Sequence, residues 1–218
     1  MDAINWHARV QSTKLSVRNL IDGELSEPQG AGQITKHAPH DGTLLYEFGE
    51  GTASEVNLAV AAARRAFTDG RWRNLPDYER QAVLNKLADL VEENREEFGL
   101  YECLDVGKPI MAGLHDDVGR ATAALRGAAA GLDNLLLPSG VNGNDMAYQH
   151  RRPVGVVGAI IGWNYPLALA TGKLGPALAV GNSLVLKPSE FTSLSAVRLA
   201  ELALEAGVPP GVFNVVHG

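Results

Sequence analysis

Few side chains in this 218-residue sequence can do covalent chemistry. Cys103 is the only thiol, and it sits in Leu100-Tyr101-Glu102-Cys103-Leu104-Asp105, a stretch with helical character. A nucleophilic cysteine needs an accessible loop, with donors or a helix N-terminus favouring its thiolate. Cys103 therefore reads as a small core hydrophobe. His37 and His40 lie close together without acidic or thiol companions at ligand spacing, so they read as surface-loop residues and no metal site is expected. Lys187 and Glu190 follow a short apolar run, at the position where doubly wound sheets place a ribose-binding group. The plainer reading of that pair is a surface ion pair worth under about 1 kcal/mol. Asn164 stands in a strand-to-helix turn, where an asparagine can cap the helix that follows.

These positions depend on the elements around them. Val154-Gly155-Val156-Val157-Gly158-Ala159-Ile160-Ile161 is too short for a helix and bounded by turn residues, the pattern of a strand buried on both faces. Gly162-Trp163-Asn164-Tyr165-Pro166 breaks it, and Pro166 suits the first turn of a helix, where its missing N–H matters little. That helix runs from Leu167 to about Val180 and stops at Gly181-Asn182. Ser183-Leu184-Val185-Leu186 is a second buried strand, a further helix reaches Ala206-Gly207, and Val212-Phe213-Asn214-Val215-Val216 is a third strand. The alternation β-α-β-α-β is one mononucleotide-binding half of a doubly wound α/β sheet.

Upstream, Asn19-Leu20-Ile21-Asp22-Gly23-Glu24-Leu25 predicts a tight hairpin with Asp22-Gly23 at its turn, and residues 37–48 a further turn and an edge-like strand. Thr52-Ala53-Ser54-Glu55 is a capping box opening a helix, with Val56, Val60, Ala63 and Phe67 expected on its inner face. A second helix follows Pro76, with Val83, Leu84, Leu87, Leu90 and Val91 inward. The run Glu92–Glu97 reads as a solvated face. A third segment closes at Leu104, and a fourth helix spans about Ile110 to Leu132, with Met111, Leu114, Val118, Ala121 and Leu125 in register. Pro138 to Asn144 reads as a linker and Met146 to Arg151 as an exposed strand.

Hydrophobic content of 45% and charged content of 20% place the chain among globular proteins. A net charge of −6 argues against nucleic acid or an anionic membrane as a partner. No apolar run is long enough to span a bilayer, and the first residues lack the layout of a signal peptide. A single cysteine suits a reducing compartment, so a cytoplasmic protein is expected.

Trp163-Asn164-Tyr165-Pro166, Lys173-Leu174-Gly175-Pro176-Ala177-Leu178, Gly181-Asn182 and Lys187-Pro188-Ser189-Glu190 follow one another at the spacing of NAD(P)-dependent aldehyde dehydrogenases. Residues 205–216 continue the match, and Leu104-Asp105-Val106-Gly107-Lys108-Pro109 and Ile21-Asp22-Gly23-Glu24 extend it upstream. Within that family the chain most resembles the N-terminal part of the bacterial gamma-glutamyl-gamma-aminobutyraldehyde dehydrogenases. The resemblance implies a truncated Rossmann-like parallel sheet preceded by a helical N-terminal region. It divides the chain into 1–137, the helical part of the NAD-binding domain; 138–153, a linker and oligomerisation strand; and 154–218, the first Rossmann-like half. It implies oxidation of an aldehyde to a carboxylic acid by a thioester route. Asn164 would be the oxyanion donor, a type of group whose loss raises a barrier by about 3–4 kcal/mol. Lys187 and Glu190 would hold the adenosine ribose, and Ile160, Ile161 and Trp163 would touch the cofactor. Glu190 favours NAD, with NADP possible because Lys187 is close. Lys173 matches a lysine near the active site and, if buried, would need a carboxylate partner.

Three departures from the family pattern stand out. The nucleophile and general-base blocks are absent from these 218 residues, so this chain alone is expected to be inactive. Gly162 stands where proline is usual, and Gly172, Gly127 and Ala128 occupy positions where relatives carry large rings. With one edge of the sheet bare, the chain is expected to be poorly soluble, to form a homo-oligomer, or to pair with a complementary chain or full-length relatives through the strand near Tyr148.

Overall fold

The Asp22-Gly23 turn closes as the sequence predicts. The computed structural model describes residues 4–134, 136–142, 145–150 and 152–218. After a short helix α1 (Trp6–Ser12), whose first turn is capped by Asn5, the strands β1 (Asn19–Ile21) and β2 (Glu24–Ser26) pair antiparallel. Asp22 at φ 53° and Gly23 at φ 86° give the two left-handed residues that a two-residue hairpin turn requires. β3 (Gln33–His37) and β4 (Leu44–Gly49) form a separate antiparallel ribbon, whose Tyr46 and Phe48 bury against Val17, Tyr101, Leu194 and Val197.

Helix α2 (Ala53–Asp69) starts on the expected capping box. Thr52 Oγ1 accepts from Glu55 N (3.2 Å), and Glu55 Oε2 accepts from Thr52 N (2.8 Å). Of its predicted inner face only Ala63 is buried. Val56 and Val60 are exposed and Phe67 half-buried, whereas Ala59, Ala62, Ala63 and Ala66 are buried. Ala59 and Ala63 pack with Val185 and Val216 of the sheet, and methyl side chains let the helix axis approach closely where valines would hold it away.

Helix α3 (Asp77–Glu93) buries Leu84, Leu87, Ala88 and Val91, with Val83 and Leu90 packed alongside. Helix α4 (Arg95–Val106) stops at Gly107, φ 82°. The run Glu92–Glu97 is more than a solvated face, because Glu97 accepts from Tyr101 Oη (2.7 Å) and Arg198 Nε (2.9 Å). The long fourth helix is interrupted: α5 (Ile110–Ala112) passes through a π turn, Gly113–Asp117, into α6 (Val118–Ala130) and a 3₁₀ turn, Gly131–Asn134. The wider turn shifts the helical phase, so Leu114, Val118, Ala121 and Leu125 are buried while Met111 is exposed.

The stretch expected as a linker is largely strand. β5 (Leu136–Asn142) pairs antiparallel with β6 (Asp145–His150), and among the described residues this pair joins neither other sheet. Gly143, Asn144 and Arg151, included in the expected linker and strand, lie outside the described residues, as do Met1 to Ala3 and the side chain of Tyr148.

The rest is β7 (Val156–Ile160), α7 (Pro166–Ala179), β8 (Ser183–Lys187), α8 (Leu194–Ala206) and β9 (Phe213–Val215), with β7 and β9 each parallel to β8. The sheet order is β2-β1-β9-β8-β7. The N-terminal hairpin thus extends the parallel sheet, because β1 pairs antiparallel with β9. Leu184 and Leu186 face the main core with α3, α7 and α8, while Val185 faces α2. β8 is buried on both faces as expected; β7, expected to be buried on both faces as well, lies at the end of the sheet order and buries only Ala159.

Both ends of α7 are held by other elements. Gly181 N donates to Leu178 O (2.9 Å) and Asn182 N to Ala177 O (3.0 Å), the paired bonds of a Schellman stop with Gly181 at φ 92°. Trp72 Nε1 reaches Leu178 O (2.8 Å) and the buried Arg80 reaches Ala179 O (2.9 Å). Asn182 Oδ1 in turn accepts from Val154 N and Gly155 N (2.8 and 3.0 Å), pinning the entry to β7. Among the described residues, no helix is long and apolar enough to cross a membrane.

Candidate cofactor site

Parallel pairing sets the site. β7 and β8 run in register with Ile160 opposite Lys187, so the carboxyl ends of both strands open on one side of the sheet. Ile161 N donates to Lys187 O (3.1 Å), which extends that pairing one step beyond β7. Ile160 is 82% exposed, an unusual condition for a strand isoleucine, whereas the next residue, Ile161, is buried. Lys187 Nζ donates to Pro188 O (3.0 Å) and stands 4.0 Å from Glu190 Oε2. Both side chains are about two-fifths exposed, at 39% and 43%, and so keep hydrogen-bonding capacity for a ligand.

The loop after β7 carries Gly162, Trp163, Asn164 and Tyr165, all exposed. Pro166 then opens α7 at the predicted position. A Cβ on Gly162 would meet Asn164 Oδ1 at 3.5 Å, an ordinary contact, so the glycine supplies looseness rather than necessary space. The β7–β8 pairing therefore brings Ile160, Ile161 and Lys187 together, with Glu190 beside the lysine. Trp163 and Asn164 follow directly on the loop leaving the same strand end. Lys173 differs from the sequence reading: it is exposed on α7 rather than buried.

Sequence reasoning missed the support beneath this loop. Glu102 on α4 is fully buried, and its Oε1 accepts from Leu167 N (3.1 Å) and Ser195 Oγ (2.8 Å). Lys108 Nζ lies 3.5 Å from Glu102 Oε2, bonds both oxygens of the buried Asp117 (2.8 and 2.9 Å), and sits 3.9 Å from the centre of the Tyr165 ring. Burial pushes the Glu102 carboxyl up to about 7, with Asp117 adding to the rise and the Ser195 hydroxyl and Lys108 opposing it. The signal available in sequence was the block Leu104–Pro109, which recurs with Trp163–Pro166 in the resembled family.

Burial also perturbs Asp105 and His217, and His217 feels the charge of Lys187. Asp105 accepts from Tyr46 Oη (2.7 Å) and Leu194 N (3.1 Å); burial raises it to about 6, and Tyr46 is raised as well. His217, just after β9, is buried with both ring nitrogens unpartnered among the described residues, and desolvation lowers it to about 3. Cys103 is not sealed in the core as expected. It is half-buried and lines a cleft of about 540 Å³ with Trp6, Val10, Leu45, Leu104 and Ile110. Burial raises its thiol, which disfavours the thiolate, and Asn164 is not among the residues lining that cleft.

A Rossmann-like sheet with this strand-end arrangement is the fold of an NAD-binding domain, and comparison with known proteins gives its family. The profile of the "Aldehyde dehydrogenase family" matches residues 26–218. The chain is 42% identical over 214 residues to the NADP/NAD-dependent aldehyde dehydrogenase PuuC of Escherichia coli (strain K12), covering 98% of itself and 43% of that protein. It is 44% identical over 205 residues to an aminoacetaldehyde dehydrogenase of Pseudomonas aeruginosa, covering 94% of itself and 41% of the relative. Among solved structures, the gamma-glutamyl-gamma-aminobutyraldehyde dehydrogenase of Burkholderia cenocepacia J2315 superposes with a TM-score of 0.91 at 42% identity, over 98% of this chain and 44% of that one. An indole-3-acetaldehyde dehydrogenase of P. syringae, solved with NAD+, matches with a TM-score of 0.91 at 41% identity, over 98% and 43%.

The chain belongs to the aldehyde dehydrogenase family. It corresponds to the N-terminal part of its relatives and spans little more than two-fifths of the length of the two curated ones, at 43% and 41%.

Proposed function

We propose that this chain provides the cofactor-holding and oxyanion-stabilising part of an NAD(P)-dependent enzyme that oxidises an aldehyde to a carboxylic acid. The observation that carries this reading is the exposed Ile160 opposite Lys187, with Glu190 beside it, at the open end of a parallel strand pair. The residues fit the group. Lys187 and Glu190 retain free donor and acceptor capacity for ribose hydroxyls, and Ile160 and Trp163 offer exposed apolar surface to flat rings. Ile161 supports the pair through its backbone bond to Lys187. Glu190 disfavours a 2′-phosphate and so favours NAD, while Lys187 leaves NADP possible.

When bound, the nicotinamide cofactor supplies a hydride acceptor. The chain's own contribution is to fix the cofactor and to aim the Asn164 amide at the aldehyde oxygen as that oxygen becomes negative. Such a donor lowers a barrier by about 3–4 kcal/mol. The sole thiol, Cys103, has a raised pKa and opens on a different cleft, so the 218 residues by themselves bind cofactor without turning over. Among the described residues the β5–β6 hairpin joins neither other sheet, so 138–153, which lies in sequence between 1–137 and 154–218, suits a linker and oligomerisation strand in a cytoplasmic enzyme. The aldehyde is not specified by the subgroup resemblance, because Gly172 and Gly127 are exposed positions with open space at Cβ.

A second reading is favoured by the same hairpin and by the edge of β7, both without a further strand partner among the described residues: an interaction module that joins full-length relatives. Calorimetric titration with NAD and NADP, followed by an aldehyde-dependent NADH assay, separates the readings. Binding that weakens in Lys187→Ala and Glu190→Ala, with no turnover, supports the first. Turnover by these 218 residues defeats the inactivity; absence of binding to either cofactor leaves the interaction module.

A further inference from the structure

We infer that Glu102 is a positioning residue for the Asn164 loop, holding it from beneath through the first turn of α7. The inference rests on the role proposed for Asn164. A helix start leaves backbone N–H groups without intrahelical acceptors. At α7 the N-cap residue Tyr165 gives no side-chain cap and Pro166 has no N–H, so the first donor after the loop is Leu167 N. Its acceptor is the Glu102 carboxylate, from a different helix. A carboxylate at a helix N-terminus also meets the positive end of the helix dipole.

The same cluster takes hold on the other side of Pro166. Lys108, drawn toward Glu102 and fixed by Asp117, lies against the Tyr165 ring. Both neighbours of Pro166 are therefore gripped by one group of charges: Tyr165 through its ring and Leu167 through its backbone. Asn164 and Trp163 are exposed and precede this grip directly, with a glycine behind them at 162. Rigid placement of Asn164 thus has to come from the α7 side of the loop. Buried ion clusters in general are weak evidence for stability. What singles out this one is that its two contacts fall on the residues flanking the turn.

The groups facing Glu102 are Lys108 and Asp117 from the segment after α4, the Ser195 hydroxyl from α8 and the Leu167 amide from α7. The test uses the 218-residue chain labelled with 15N, and follows the backbone amides of 163–167 and the Asn164 side-chain amide from pH 5.5 to 8.5. In the wild type the Leu167 signal shifts with a midpoint near 7, the value to which Glu102 is raised. Glu102→Gln abolishes that titration yet keeps the loop signals close to those of the wild type at low pH, because its amide oxygen still accepts from Leu167. Glu102→Ala displaces the Trp163, Asn164 and Leu167 signals while those of β8 and α8 stay in place.

Loop signals unmoved in a folded Glu102→Ala chain overturn the inference, as does a Leu167 titration that survives in Glu102→Gln. If Glu102→Ala does not fold, the Glu102→Gln titration alone decides. None of these readouts requires cofactor. A wild type that binds neither NAD nor NADP defeats the proposed function while leaving the loop measurement standing.

Discussion

His217 carries the sharpest pH dependence a single residue gives here. Its imidazole is buried without hydrogen-bond partners among the described residues and packs edge-on against the Phe48 ring, with Lys187 adding to the desolvation that holds it near 3. In the unfolded chain it titrates near 6.5, so between those values the unfolded state binds the extra proton and stability falls as pH drops. Replacing it by phenylalanine removes this term. Urea unfolding at pH 6.5 and pH 5 is expected to show the wild type losing about 2 kcal/mol relative to His217→Phe, from about 1.4 kcal/mol per pH unit. Glu102 works in the opposite direction: its raised carboxyl contributes stability at low pH that is lost as pH rises from the ordinary glutamate value through about 7. The overall profile mixes the two, so the difference between wild type and each variant is the quantity to measure. Gly162 gives a second expectation at this scale. A methyl there meets only ordinary contacts, so Gly162→Ala should raise stability by about 0.4–1 kcal/mol, read from the same unfolding curves.

At the scale of elements, α7 is the piece on which the rest converge. Gly175 lets it meet α6, since a Cβ at that position would lie 3.0 Å from Ala128 Cβ and 3.3 Å from Ala124 O. The carbonyl belongs to a helix backbone that gives little, so Gly175→Ala should destabilise by about 1–3 kcal/mol in chemical denaturation. Trp72→Phe removes one donor from the Leu178 carbonyl, to which Gly181 N still donates, and should destabilise by about 0.5–1.5 kcal/mol. The sequence made α7 legible through Pro166 at its start and Gly181-Asn182 at its stop, because both are local backbone chemistry. It did not disclose Trp72, Arg80 or Glu102 as its anchors, since those contacts join residues far apart in the chain. The same distinction explains the departures at Val56, Val60 and Phe67 on α2 and at Met111. The box at Thr52 fixes where α2 begins, but the sheet chooses alanines as the inner stripe. The π turn after Ala112 then shifts a periodicity that the residues alone present as continuous.

For the whole molecule, the parallel order β9-β8-β7 was readable from alternation, and the strand-end position of Lys187 and Glu190 followed from it. The N-terminal hairpin's place beside β9 was not, because pairing across nearly the whole chain leaves no local mark. Among the described residues the sheet presents the unpaired edge of β7, with Val154, two residues before the strand, 84% exposed and Ile160, its last residue, 82% exposed. Exposed edges with apolar ends favour strand addition. We expect concentration-dependent association of the 218-residue chain in size-exclusion chromatography with light scattering, and a smaller associated fraction for Val154→Lys. A wild type that stays monomeric across the concentration range would contradict this.

The Asn182 side chain has a mechanical corollary. By tying Val154 and Gly155 to the stop of α7, it clamps the point where the chain comes in from the β5–β6 hairpin. Tension applied through that hairpin would be carried into the α7–β8 corner before it could peel β7 from its neighbour, leaving the strand end that carries Ile160 sheltered from movement in the hairpin.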